Sequence, residues 1–300
     1  MRPMTTGGFS IIAAFGVAAA TAFAEDDAQT PVMVEWSADA VSPGICVGKT
    51  TWFVSVAPSS VKADSKPTLI AGDQRVAAKV LHFDSDLHLC LLEVAEPLAD
   101  LTLFSLAPNP VGRAGEKLSS LSTYGDCRST IAGKDWSYRG EPLDMPLLRI
   151  RVEDSEHFCH PGTPLVNKDG QIEGILTDRI LATKTEAHAI PASQIRKLLR
   201  DMERYDRTGK VWLGLLLHEE STTPEVIEVV ENSPAEKSGF ASGDVILSLN
   251  QTEIENLSEL VEAIHDLPAG EKATFEILRG LSRKEIQVVP QFAVSLTDVP

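Results

Sequence analysis

The sequence predicts a mainly β chain of two domains, a barrel or sandwich of short strands followed by a smaller α+β module. Three observations predict it. Short β-rich runs separated by turn residues fill the chain from Pro43 to about Leu181. The first amphipathic helix, over 192–205, runs into the breaker Asp206-Arg207-Thr208-Gly209, a natural domain boundary. Beyond Lys210 the pattern changes to strands around another helix. A chain of 300 residues has the length of two domains, and 43% hydrophobic residues allow each a core.

Within the first domain, Trp52-Phe53-Val54-Ser55-Val56 is rich in β-formers. Val76 to Val80 and Leu87 to Val94 read as further strands, and Leu147 to Val152 ends in the alternation of a half-buried strand. Leu165 to Leu176 reads as a hairpin whose Asp169-Gly170 pair supplies the positive φ angles of its turn. In the helix over 192–205, Ile195, Leu198, Leu199 and Met202 share one face and the other is charged. In the second module, Val226 to Val230, Val245 to Leu249, Ala273 to Leu278 and Glu285 to Val289 read as strands. Leu257 to Leu267 reads as a helix with Leu260, Ile264 and Leu267 on its apolar face. Residues 25–40 are expected to be a loose lead-in and 291–300 a loose tail.

The first 24 residues have the form of a signal peptide. Arg2 precedes a run of small and apolar residues, Phe9 to Ala22, and Ala22-Phe23-Ala24 has the A-x-A form of a cleavage site. The run is shorter than the ~20 residues of a membrane span, and no other stretch qualifies. An exported protein, periplasmic or secreted, is expected. The net charge of −16 excludes a phosphate backbone as natural partner and disfavours an anionic membrane surface. Four cysteines, Cys46, Cys90, Cys127 and Cys159, are disulfide candidates in an oxidising compartment and allow three pairings. No C-x-x-C spacing occurs, so neither a structural zinc nor another cofactor is expected.

Residues 208–290 resemble the PDZ domain of HtrA/Deg-type proteases through several motifs in order. Trp212-Leu213-Gly214-Leu215 resembles the carboxylate-binding loop, Asn232 to Gly239 the short helix after the second strand, and Ser242 to Asn250 the family's most recognisable run. The resemblance implies a peptide added as a strand beside Leu215 to Leu217, with its terminal carboxylate on the loop. It implies a binding surface of Leu213, Gly214, Leu215, Leu217, Leu260 and Ile264, although Leu260 and Ile264 read equally well as core. The module holds 6 Lys or Arg and 15 Asp or Glu, so neutral, apolar or basic C-terminal tails suit it better than acidic ones.

Residues 41–206 resemble the trypsin-like double β-barrel of the same family, with its chemistry missing. Thr51 to Ser55 resembles the strand leading to the catalytic histidine, whose position holds Pro58. Asp84 to Leu92 resembles the segment of the catalytic aspartate, whose position holds His88. Cys159-His160-Pro161-Gly162-Thr163-Pro164 resembles the nucleophile motif, with Pro161 at the serine. Ala187-His188-Ala189-Ile190-Pro191 resembles the run before the closing helix. Proline offers neither nucleophile nor base, and Pro161 also removes an oxyanion-hole N–H. The expectation is a pseudoprotease that Pro161→Ser does not revive.

The resemblance thus implies a non-catalytic binder of C-terminal tails or unfolded segments, and it admits a protease partner and a homo-oligomer. Two alternatives stay open. One is an active endopeptidase, with a triad aligned differently or with Cys159 and His160 as thiol and base, although neighbours on an extended strand point to opposite faces. The other is a metal-binding exported protein in which His88, His157 and His160 converge. The family fold also suggests a Cys127–Cys159 bridge, with Cys46–Cys90 as the remaining pair.

Overall fold

The computed structural model describes residues 30–99, 101, 103–108, 112–121, 128–138, 141–153, 160–180, 185–217 and 223–293. The chain enters on β1 (Val32–Ser37), β2 (Ala40–Cys46) and β3 (Trp52–Val56). It continues with β4 (Thr68–Ala71), β5 (Gln74–Ala77), β6 (Lys79–Phe83) and β7 (Leu89–Glu93). Their order is β5-β4-β1-β2-β3-β7-β6. β5 and β6 are two halves of one extended run that breaks at Ala78, whose N–H goes to the Pro67 carbonyl at 2.9 Å. The first half pairs with β4 and the second with β7, so the two ends of the sheet are joined through Ala78 and the sheet curls around Val34, Phe53, Leu69 and Leu92. The strand expected from Val76 to Val80 is therefore split where the chain turns the barrel's corner.

Residues 25–40 are not all a loose lead-in. Val32, Val34 and Trp36 are buried on one face of β1, which lies between β2 and β4. Val-Met-Val-Glu-Trp carries a period-2 alternation that its acidic surroundings hide. The strand expected from Leu87 begins at Leu89, because the Asp84 carboxylate accepts the N–H groups of Asp86 and Leu87, both at 2.8 Å, and holds a turn.

The second barrel comprises β8 (Lys117–Ser120), β9 (Arg128–Tyr138), β10 (Glu141–Val152), β11 (Pro164–Val166), β12 (Ile172–Ile180) and β13 (Glu186–Pro191). It is closed in the order β10-β13-β12-β11-β8-β9, around Leu118, Ile131, Ile150, Leu165 and Leu176. The expected hairpin is β11 and β12, with Gly170 at φ 73°. Helix α1 (Ala192–Tyr205) lies where expected and buries Ile195, Leu198 and Met202 in a shared core with Val54, Leu91, Leu147 and Ile175 from both barrels. Truncating one such side chain costs about 2–5 kcal/mol. Asp206 ends the helix in the left-handed region, its N–H on the Met202 carbonyl.

The second module comprises β14 (Val211–Trp212), β15 (Leu215–Leu217), β16 (Val226–Val229), α2 (Pro234–Ser238) and β17 (Val245–Leu249). β18 (Thr252–Glu253), α3 (Leu257–His265), β19 (Ala273–Arg279), β20 (Ser282–Val288) and β21 (Gln291–Phe292) complete it. Leu213, Val226, Ile246, Leu260 and Phe275 form its core. The tail expectation is corrected for its first residues: β21 pairs with β14, and Phe292 meets Tyr205 edge-on at 5.2 Å between ring centroids. The signal segment lies outside the described residues. Among the described residues no helix is long and apolar enough to cross a membrane.

Candidate functional site

Pro58 and His88 are brought together by backbone pairing. Each sits beyond the same end of the antiparallel pair β3–β7, and the Ala57 N–H donates to the His88 carbonyl at 2.9 Å. His88 adopts φ 55°, a left-handed conformation set up by the Asp84 turn, and its ring lies 6.0 Å from that of Phe83. Pro161 begins a tight loop in which the Thr163 N–H returns to the His160 carbonyl at 3.0 Å. The Gly162 N–H is taken by the Leu176 carbonyl at 2.7 Å. Gly162 has φ 87°, and a Cβ there would stand 3.1 Å from both Cδ and the carbonyl oxygen of Pro43, so the loop rests directly on β2. Pro58, His88 and Pro161 therefore offer one imidazole and no hydroxyl, thiol or carboxylate.

A buried chain of hydrogen bonds, not anticipated from the sequence, fixes the β2 wall on which that loop rests. The Trp36 indole N–H donates to Ser42 Oγ at 2.8 Å, and the Ser55 hydroxyl donates to the Pro43 carbonyl at 2.7 Å. The two hydroxyls are 2.8 Å apart. Because the Ser55 proton is committed to Pro43, Ser42 donates to Ser55, and every proton in the chain is assigned.

The thiols correct one expectation. Cys46 on β2 and Cys90 on β7 are free and buried, and β3 runs between them with Cys46 opposite Phe53 and Cys90 opposite Ser55. Strands two apart are separated by roughly 10 Å, beyond the ~7 Å a disulfide spans between Cα atoms. The Cys46 thiol donates to the Lys49 carbonyl and that of Cys90 to the His88 carbonyl. Burial pushes the first up to about 11 and the second up to about 12, which makes both inert. Cys127, Ser155, His157 and Cys159 lie outside the described residues, and with them the Cys127–Cys159 pairing and the Cys159–His160 dyad. Among the described residues no three His, Cys, Asp or Glu side chains come together as a metal site.

The second candidate is the edge of β15. This strand pairs only with β16 in a two-stranded sheet, so among the described residues its other edge has no strand partner. Gly214, at φ 82°, leads into it; a Cβ there would lie 2.2 Å from Ser233 Cβ, so only glycine fits. The Leu213 carbonyl accepts from Ala235 and the Gly214 carbonyl from Val230, both at 2.9 Å. In a trans peptide the N–H points opposite its carbonyl, so the N–H groups of Gly214 and Leu215 point away from α2 and β16, toward the open side. Two N–H groups on that open side are donors of the kind a peptide's terminal carboxylate uses. Ser233 also caps α2, accepting the Glu236 N–H at 3.1 Å, while Glu236 accepts the Asn232 N–H. One serine thus fixes both the helix and the loop, a role not foreseen in the sequence.

Of the six expected groove residues, Leu213 and Leu260 are core, at 3% and 0% exposure. Leu215, Leu217 and Ile264 are half-buried and pack against that same core. Leu216 turns outward. The back of α3 and the turn beyond it are held to the first domain: Lys134 on β9 bonds Glu262 at 2.6 Å, Arg200 bonds Asp266 at 3.3 Å, and the Tyr205 hydroxyl donates to the Ala269 carbonyl.

Comparison with known proteins follows the same division. Residues 211–289 match the PDZ domain family. The chain is 27% identical over 250 residues to mouse (Mus musculus) serine protease HTRA4, covering 72% of this chain and 50% of the relative. It is 26% identical over 268 residues to a probable periplasmic serine endoprotease DegP-like of Pseudomonas fulva, covering 84% of this chain and 56% of the relative. The chain spans about half the length of these relatives. The solved structure of the HtrA-type protease AlgW with tripeptide superposes with a TM-score of 0.61 at 15% identity, covering 90% of this chain and 95% of that one.

Proposed function

Because the chain belongs to the HtrA-type family of trypsin-like serine proteases with a C-terminal PDZ domain, we propose that it is an exported, non-catalytic member that binds polypeptide C-termini or unfolded segments through its PDZ groove. The observation that carries the reading is the set of residues at the three catalytic positions, Pro58, His88 and Pro161. Acyl transfer to an enzyme needs a nucleophile, a base for its proton and a group that orients the base. Two prolines supply none of these, and a single imidazole is neither a serine or cysteine nucleophile nor a carboxylate that orients a base. Committing the Gly162 amide to Leu176 further reduces the donors available for an oxyanion. The barrels then act as a scaffold, and the PDZ module recognises a strand and its terminal carboxylate at Gly214 and Leu215. Recruiting or regulating an active protease is consistent with this role. The signal-like first 24 residues and the periplasmic relative support export.

A second reading, an active endopeptidase, is favoured by the relatives' names, which are those of serine proteases. Casein degradation by the full chain, alongside labelling with a serine-reactive fluorophosphonate, separates the two. No degradation and no label is the expected result. Degradation with labelling would establish an active serine, and degradation blocked by a thiol reagent would point to Cys159.

A further inference from the structure

The walls of the groove carry almost no positive charge. Between Leu213 and Glu271, the stretch that supplies β15, β16 and α3, the sequence has 13 Asp or Glu and a single Lys or Arg, Lys237. The module's remaining cations are Lys210 before the loop and four on or next to the β19–β20 hairpin, a different sheet from β15–β16. Two of those four are committed, Arg279 to Asp244 and Arg283 to Glu276. On the back of α3 and the turn after it, Glu262, Asp266 and Glu271 are neutralised by first-domain cations. The exposed Glu228 on β16 and Glu255 before α3 form no ion pair among the described residues. Carboxylates are thus neutralised toward the barrels and beside the β19–β20 hairpin, while Glu228 and Glu255 remain uncompensated.

We infer that the occupant of this groove is a basic tail, a C-terminal segment with Lys or Arg a few residues upstream of an apolar end. The inference rests on the groove reading above and adds its charge requirement. A terminal carboxylate entering so acidic a surface meets repulsion that upstream cations offset, and cations on an added strand reach the carboxylates of β16 and the α3 entrance within a Debye length. The half-buried Leu215, Leu217 and Ile264 leave the last residues apolar.

The test uses the full chain and fluorescein-labelled peptides that share one apolar C-terminal tripeptide and differ only upstream, carrying two Lys, two Gln or two Glu. Fluorescence anisotropy at low salt should show the lysine peptide binding at least roughly 10-fold more tightly than the glutamate peptide, with the gap narrowing as salt rises. Glu228→Lys with Glu255→Lys, both at exposed positions, should shrink or invert the gap between the lysine and glutamate peptides. Gly214→Trp should abolish binding of all three. Equal affinities that Gly214→Trp still abolishes would leave the groove standing and overturn its charge requirement. A lysine preference that survives Gly214→Trp would place the binding elsewhere and overturn the inference, and no binding by any peptide would remove the groove reading itself.

Discussion

The loop of Pro161 and Gly162 carries an uncompensated polar atom. Thr163 is fully buried, and its hydroxyl has no hydrogen-bond partner among the described residues. Such a group costs about 1–3 kcal/mol in desolvation. Thr163→Val keeps the side-chain shape and removes the hydroxyl, so it should raise the melting temperature by a few degrees; an unchanged or lower value would mean the hydroxyl is satisfied. A second residue ties stability to pH. His82 on β6 has its pKa lowered below 6.5, chiefly by burial, with Asp84 opposing. As pH falls through about 6.5 the unfolded imidazole takes a proton that the folded one declines. The folded state therefore loses stability in mild acid, from about 6.5 down to the lowered folded value. Urea unfolding at pH 7.5 and 5.5 should show a smaller drop for His82→Gln than for the parent; equal drops would assign the acid sensitivity to other groups.

Among the elements, α1 depends on a buried ion pair more than its apolar stripe suggests. Lys197 and Asp201 are 4% and 0% exposed and bonded to each other, and Lys197 also donates to the Gly209 carbonyl at 2.8 Å, fastening the linker to the helix. Removing Lys197 leaves the buried Asp201 with only Arg200 Nε and the Thr208 hydroxyl, each at 3.4 Å, at a cost of up to about 3–5 kcal/mol, whereas replacing both members with apolar side chains is often neutral. Lys197→Met should therefore lower the denaturant midpoint sharply, and Lys197→Met with Asp201→Leu should recover most of the loss; a double variant no better than the single would show that the pair itself is needed. The sequence revealed the helix through Ile195, Leu198 and Met202, but not this pair, since Lys and Asp four apart on a helix normally face solvent. The same limit applies to β1 and β21. β1 had its alternation, but the judgement of a loose lead-in rested on the acidic residues before it. The two residues of β21 carry no pattern at all and are strands only because β14 lies alongside. Among the site residues, Gly214 was legible because a motif marked it, while Ser233, which fills the space a side chain at 214 would need, is adjacent only after folding. The Cys46–Cys90 pairing failed for a related reason: β3 lies between the two thiols, and strand order is a tertiary property.

At the scale of the molecule, the question is whether the two domains melt as one. A module of about 80 residues is marginal alone. Here its α3, the turn after α3 and β21 are all anchored to the first domain or its closing helix. Lys134 reaches Glu262, Arg200 reaches Asp266, Arg204 pairs with Glu271, and Tyr205 both donates to the Ala269 carbonyl and meets Phe292 edge-on. Each partly exposed ion pair contributes at most about 1 kcal/mol, and the aromatic contact about 0.5–1.5 kcal/mol. Together these reach the size of a small domain's own stability, enough to couple the two transitions. The parent should then show one calorimetric endotherm. Lys134→Ala with Tyr205→Ala cuts the anchors at both ends of the interface without touching either domain's core, and should resolve two endotherms, the PDZ module melting first. A single unshifted endotherm in that variant would mean that the coupling runs through the Lys197–Gly209 linker, and two endotherms already in the parent would mean that the domains are thermodynamically independent despite their contacts.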